Sequence, residues 1–266
     1  MIQKKLKIGI IGIGYVGGAA RNWFQKEGYP LFLYDKYKKI GSIEEVNKAD
    51  IIFICVPTPY HKKSGYNDSV VLESIKKLYG SKIIVIKSTI LPGSTEKFQN
   101  KFTQHKILFN PEFLVAKTAK KDFLNPKRQI IGFTKKSKKV ARKILTILPK
   151  TPYQRMISSS EAEMVKYFGN AFLATKVIFA NQIYDLCQKL KIDYDVVKEI
   201  ASQDPRIGPS HLEIFHDGYR GYGGCCFPKD VKSLLQLAKK QKVDLKLLKM
   251  IDKINNNLIC SHKKSR

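Results

Sequence analysis

The sequence predicts an α/β chain: a doubly wound parallel sheet followed by a helical domain. Three observations predict it. Short apolar runs alternate with helix-length stretches from residue 8 to about residue 133. The first run opens into a turn with glycines at Gly12, Gly14 and Gly17. After Ile157 the strand alternation stops. Strands that alternate with helices form parallel sheets, and runs apolar on both faces suit a sheet covered on both sides.

Taken in order, residues 8–11 are the first strand and residues 19–26 a helix. Residues 31–34 form a second apolar run, which ends in Asp35. Ser42-Ile43-Glu44-Glu45 has the spacing of a helix start with a capping box. Residues 51–56 are a buried-strand pattern closed by Pro57-Thr58-Pro59, and residues 69–79 a helix. Further strands fall at 82–87, 107–109 and 129–133. Ser158-Ser159-Ser160-Glu161 caps a long helix that continues past Leu186. Residues 194–202 and 231–240 are also helical. The expected organisation is a dinucleotide-binding domain over 1–157, a helical domain over 158–260 and a polar, frayed tail over 261–266.

Composition narrows the function. The 266 residues are 43% hydrophobic, enough for one good-sized core or two small ones. No apolar run approaches the ~20 residues that span a bilayer. The N-terminal residues lead straight into the first strand without an apolar leader, which fits a cytosolic chain. Five cysteines, Cys55, Cys187, Cys225, Cys226 and Cys260, have neither disulfide-framework nor zinc spacing, so no metal is expected. Cys55 and Cys187 lie in apolar stretches and are expected in the core. The net charge of +27 is mostly lysine, spread along the chain rather than gathered in a block. It suits phosphorylated small molecules better than nucleic acid.

Gly12-x-Gly14-x-x-Gly17 follows a strand and opens a helix, which is the context of a dinucleotide fingerprint and makes the first domain Rossmann-like. Tyr15 and Val16 lie within this turn as candidate cofactor contacts, and the N-terminus of the helix that follows would face the pyrophosphate. Asp35, 18 residues after Gly17, is placed to hold both ribose hydroxyls and favours NAD. Lys36, Lys38 and Lys39 beside it leave NADP open. Val56, Pro57 and Thr58, and then Ser88 and Thr89, follow strand ends, where open sheets bind ligands. They are either rigid exits and helix caps or cofactor contacts. Glu112 in Asn110-Pro111-Glu112-Phe113-Leu114 is a surface carboxylate or a general base. Lys166 and Asn170, four apart, share one helix face.

Gly221-Tyr222-Gly223-Gly224-Cys225-Cys226-Phe227-Pro228-Lys229-Asp230 places a thiol in a glycine-rich turn. Glycines let a substrate approach the backbone, and the nearby Lys229 favours the thiolate. Cys226 is therefore a candidate covalent nucleophile. Cys225 is a filler or a redox partner.

Together these motifs, with Ser88-Thr89-x-x-Pro92-Gly93, Asn125-Pro126-x-Arg128 and Asp204-Pro205-Arg206-Ile207-Gly208, resemble the UDP-glucose/GDP-mannose dehydrogenase family almost from end to end. The resemblance implies a four-electron oxidation of a nucleotide sugar with two NAD⁺, UDP-glucose to UDP-glucuronate. Cys226 would carry a thiohemiacetal and then a thioester. Lys166 and Asp230 would stabilise oxyanions and handle water, and Asn170 would bond near the reacting oxygen. Glu112 would be the base for thioester hydrolysis, and Thr89 would order water and cofactor. The resemblance places Phe113, Leu114, Tyr222, Gly223 and Gly224 at the substrate. It implies a homodimer through the helical domain, with Arg206 reaching the partner's substrate. Its alternatives are GDP-mannose or a UDP-N-acetylhexosamine as substrate, or a shortened NAD-binding homologue that acts as a partner or regulator. The sequence departs from the pattern at Val115-Ala116-Lys117, where the family has a second carboxylate. The family's third, nucleotide-binding domain has no counterpart in these residues.

Overall fold

The computed structural model describes residues 5–216 and 218–264. Met1–Lys4, read as part of the N-terminal lead-in, and Ser265 and Arg266 of the expected tail lie outside the described residues. The chain forms two compact units: Met1–His61 with Asn67–Lys166, and Lys62–Tyr66 with Tyr167–Arg266. The division thus falls nine residues beyond the expected 157/158 boundary, and it assigns residues 62–66 to the second unit.

The first unit is built on β1 (Ile8–Ile11), α1 (Tyr15–Lys26), β2 (Leu31–Asp35), β3 (Ile40–Gly41), α2 (Ile43–Val46), β4 (Ile51–Ile54) and β5 (Tyr60–His61). After β6 (Gly65–Tyr66), which belongs to the second unit, come α3 (Ser69–Lys76), β7 (Ile83–Ile86), α4 (Ser94–Lys101) and β8 (Lys106–Phe109). Then follow α5 (Ala119–Leu124), β9 (Arg128–Phe133), α6 (Lys138–Ile147) and β10 (Tyr153–Ser158). Eight strands form one sheet in the order β10-β9-β8-β7-β4-β1-β2-β3.

Period-two alternation divides the strand side chains between two cores. Ile52, Ile54, Ile84, Ile86, Ile107 and Phe109 enter one. Ile8, Ile10, Ile51, Phe53, Val85 and Leu108 enter the other. Each such side chain contributes on the order of 1.5–3 kcal/mol by burial. Two of the helices that cover the sheet are tied to each other: Trp23 of α1 donates its indole N–H to the Ile147 carbonyl of α6 at 2.8 Å.

The sheet departs from the expected all-parallel form. β2, β1, β4, β7 and β8 run parallel, but β9 is antiparallel to β8, and β10, absent from the sequence reading, pairs parallel with β9. The two-residue β3 is also antiparallel to β2. Hydrophobic pattern reports burial rather than direction. β9 sends Ile130 into one core and Ile131 into the other, as a parallel strand would.

α7 (Ser159–Leu190) begins as predicted. The Ser158 backbone N–H and hydroxyl both donate to Glu161 Oε2, at 2.9 and 2.8 Å, and the Glu161 N–H returns to Ser158 Oγ at 3.4 Å. In the second unit follow α8 (Tyr194–Ala201), β11 (Phe215–His216), β12 (Tyr219–Arg220), α9 (Phe227–Lys240) and α10 (Lys246–Lys264). The helical region therefore also contains a short antiparallel β11–β12 pair. α10 continues to Lys264, so residues 261–264 are helix rather than frayed tail. Ile178, Tyr222, Val231, Leu248 and Ile251 form the core that joins α7, α9 and α10. Among the described residues no helix is long and apolar enough to cross a membrane, and no three His, Cys, Asp or Glu side chains are grouped as metal ligands.

Candidate active site

In the first unit, the candidate cofactor residues lie at the C-terminal ends of β1, β2, β4 and β7. Two glycines are required by close approach. A Cβ on Gly17 would stand 1.8 Å from the Gly12 carbonyl oxygen, and one on Gly12, at φ 88°, would stand 2.7 Å from the Cys55 carbonyl oxygen. Gly14 has nothing within 4 Å of where a Cβ would be, and α1 opens directly after it without a side-chain cap. Tyr15 is exposed and Val16 half-buried. α1 begins four residues earlier than the sequence pattern predicts.

Asp35 closes β2. Its carboxylate accepts the N–H of Ile13 at 2.7 Å, Tyr37 at 3.0 Å and Lys38 at 2.9 Å. Burial pushes its carboxyl up, but these three N–H groups and the Lys38 ammonium outweigh burial and hold it below the usual range. Lys38 itself reaches the Ile13 carbonyl at 2.6 Å. A cavity lined by Gly12, Asp35, Lys36, Val56, Pro57 and Lys77 opens at this edge. A turn exposed at Gly14 and Tyr15, beside an ionised carboxylate at a cavity, fits a dinucleotide.

Thr58 and Ser88 are less available than their motifs suggest. Thr58 Oγ1 donates to the Thr89 carbonyl at 2.7 Å, and Ser88 Oγ to the Val56 carbonyl at 2.7 Å; both side chains are buried. They join the ends of β4 and β7, and Thr89 remains half-buried beside them. Cys55 packs in one core, where burial pushes its thiol up to about 12, against the opposing pull of Lys87.

Glu112 lies just past β8. Its Oε2 is 2.7 Å from Lys87 Nζ, and its Oε1 accepts the Phe113 N–H at 3.0 Å. Phe113 carries the Arg128 guanidinium 3.9 Å from its ring centroid and the Lys166 ammonium at 5.8 Å. Glu112, Phe113, Leu114, Asn125 and Arg128 line a cavity of about 360 Å³. Val115 and Lys117, in the divergent segment, are exposed.

The candidate thiol, Cys226, lies in the second unit. Cys226 is the N-cap of the 14-residue α9 and is exposed, and its Sγ is 3.7 Å from Cys225 Sγ. A helix N-terminus favours negative charge at that position. Asp230, one turn into α9 and 2% exposed, accepts the Asn170 amide at 2.5 Å and pairs with Lys229. The helix pairing of α7 with α9 thus joins two of the residues singled out in the sequence. Tyr222 differs from expectation: at 3% exposed it belongs to the core, with its N–H on Asn255 Oδ1 at 2.7 Å. Burial pushes its phenol up. Gly223 lies against the Tyr219 hydroxyl, and Gly224 takes φ 70°. Arg206 is exposed and held by Asp204, with contacts of 2.6 to 3.1 Å.

Sequence reasoning misses Lys87 and Glu163. Lys87 ends an otherwise apolar run immediately before Ser88-Thr89, which is the available signal. Glu163, completely buried, accepts Gly93 N–H at 2.6 Å, Thr95 N–H at 2.8 Å and Thr95 Oγ1 at 2.6 Å. Burial pushes its carboxyl up to about 7, although those three donors pull the other way. It caps α4 from α7, and no local pattern in the sequence announces that contact.

The fold defines an α/β unit with the glycine turn of a dinucleotide site, and a largely helical unit that bears an exposed thiol. Residues 36–148 match the model of the NAD binding domain of the UDP-glucose/GDP-mannose dehydrogenase family, and residues 160–257 that of its central domain. The chain belongs to this family. A UDP-glucose 6-dehydrogenase of Bacillus subtilis is 36% identical over 79% of the chain and 49% of its own length. One from Rickettsia bellii is 37% identical over 80% of the chain and 50% of its length. The chain spans about half the length of the curated relatives it matches. In fold, it is similar to a UDP-glucose dehydrogenase of Pyrobaculum islandicum, with a TM-score of 0.84 at 24% identity over 97% of this chain and 70% of that one.

Proposed function

We propose that this chain carries out NAD-dependent oxidation of a nucleotide sugar, UDP-glucose to UDP-glucuronate, through a covalent intermediate on Cys226. The observation that carries the reading is the thiol at the N-cap of α9, with Asp230 one turn on and fixed by Asn170 and Lys229. Bound NAD⁺ supplies the hydride acceptor for both oxidations. The chain's own residues do the rest. Gly12, Gly14, Gly17 and Asp35 hold the dinucleotide. Lys166 and Asn170 sit beside the reacting oxygen. The Cys226 thiolate adds to the aldehyde carbon, giving a thiohemiacetal that the second oxidation converts to a thioester. Water then adds to the thioester carbonyl, Glu112 takes its proton, the C–S bond breaks, and the thiolate leaves with the electron pair.

Purified protein mixed with UDP-glucose and excess NAD⁺ should yield two reduced cofactors per sugar. No reduction with UDP-glucose, GDP-mannose or UDP-N-acetylhexosamines would falsify the reading.

The same proposal includes a homodimer through the helical region. It is supported by the exposed apolar side chains of Phe168, Phe172, Phe179 and Leu186 along α7, with Phe168 and Phe172 stacked at 6.4 Å. Light scattering after gel filtration should give twice the chain mass, and Phe172→Asp with Phe179→Asp should give a monomer. A monomeric wild type at micromolar concentration ends this part of the proposal.

A further inference from the structure

Lys87 has a side chain only 2% exposed. A desolvated ammonium is costly unless countered by charge and hydrogen bonds. Lys87 has both. It donates to Asn110 Oδ1 at 2.6 Å and lies 2.7 Å from Glu112 Oε2, with the Phe123 ring centroid 5.2 Å away.

The placement follows from the sheet. β7 and β8 are parallel in a register that sets Ile86 beside Phe109. The residues that leave the two strands, Lys87 and Asn110, therefore emerge side by side. The Asn110 amide nitrogen is committed to the Ile130 carbonyl at 2.8 Å and to Gln129 Oε1 at 3.3 Å, which turns its oxygen to Lys87. The Glu112 carboxylate is then held at both ends, Oε2 by Lys87 and Oε1 by the Phe113 N–H.

We infer that Lys87 is a positioning residue for thioester hydrolysis: it fixes and charge-balances the Glu112 carboxylate that takes the proton from water. The inference rests on the function proposed above. A base held at both oxygens needs no reorientation when water arrives. Once Glu112 takes the proton, Lys87 is left as a buried cation without its counter-charge. The proton is therefore passed on rather than kept, and the carboxylate is regenerated for the next turnover. Neither hydride transfer uses this pair, so its loss should act on one step alone.

The test uses the full chain with UDP-glucose and NAD⁺. Lys87→Met should release two reduced cofactors per site in a burst, after which turnover falls by about 100-fold. Intact mass should show the acyl thioester on Cys226. Lys87→Arg should recover at least about tenfold of the loss by restoring the charge. If the Met variant does not fold, Lys87→Gln, which keeps a donor for Asn110, carries the same comparison. A merely structural lysine would slow both hydride transfers in proportion and leave no adduct, and that result overturns the inference. Wild-type turnover in Lys87→Met overturns it equally.

A thermal double-mutant cycle on Lys87→Met and Glu112→Gln separates the two layers. The double variant should melt higher than the sum of the single losses predicts, because it leaves no unpaired buried charge. Strict additivity overturns the inference even in an active enzyme. A wild type that reduces no cofactor overturns the function reading and the inference with it, and coupling in the cycle then marks only a structural pair.

Discussion

In the turn after β1 the candidate cofactor contacts belong to the main chain, and even Asp35 is set by three backbone N–H donors. Near Cys226 the candidate groups are side chains: Asn170 from α7, and Asp230 and Lys229 from α9. The difference teaches how each half can fail. A main-chain site is lost by adding volume, whereas a side-chain site is lost by removing one functional group.

The largest expected effect separates the halves. Cys226→Ala should reduce turnover by on the order of 10³-fold or more while NAD⁺ affinity, measured by calorimetry, stays within about twofold. A loss of both would mean that the halves are not independent.

Gly17→Ala should do the converse. Its Cβ meets the Gly12 carbonyl oxygen, so the turn must shift, at a cost of about 1–3 kcal/mol in stability. NAD⁺ binding should weaken, and the alkylation rate of Cys226 should not change. Unaltered NAD⁺ affinity would break the assignment of this turn to the cofactor.

Glu163 sharpens the comparison by its pH dependence. Its carboxyl is raised by burial from an ordinary 4.5 to about 7, so the folded state holds a proton that the unfolded chain has released. The stabilisation is complete below about pH 4.5 and is lost as pH rises to about 7. Glu163→Gln should flatten that part of a melting-temperature profile. An unchanged slope would show that another group titrates there.

The smallest effect belongs to the start of α7. Ser158→Ala removes the cap hydroxyl and should cost about 1 kcal/mol in thermal stability, with little change in cofactor affinity.

These two materials also explain what is legible in the sequence. Main-chain sites demand residues with unusual backbone needs at fixed spacing, so Gly12, Gly14, Gly17 and Asp35 stand out from the order of residues alone. The Ser158 capping box is local and equally legible. Asn170 and Asp230 can be named from motifs, but their hydrogen bond spans 60 residues and depends on how α7 packs on α9. Lys87 closes a strand-like run, and its partners Asn110 and Glu112 follow the neighbouring strand, so its role depends on the pairing of β7 with β8. Tyr222 misleads for the opposite reason: its glycine neighbours suggest an open loop, whereas its ring is the anchor that docks that loop on α10. The direction of β9 is invisible because burial on two faces is the same whichever way a strand runs.

The two ends of the eight-stranded sheet have a consequence for how copies of this chain meet. An edge strand offers unpaired amide and carbonyl groups to any passing strand. Here one edge, β3, is only two residues long. The other, β10, presents Tyr153, Gln154 and Arg155 to solvent, with the Arg155 guanidinium 5.2 Å from the Tyr153 ring centroid and exposed Lys150 just before the strand. Two copies brought edge to edge at β10 would confront like charges, and at β3 would gain too few hydrogen bonds to hold. Both edges thus carry a feature that disfavours strand addition.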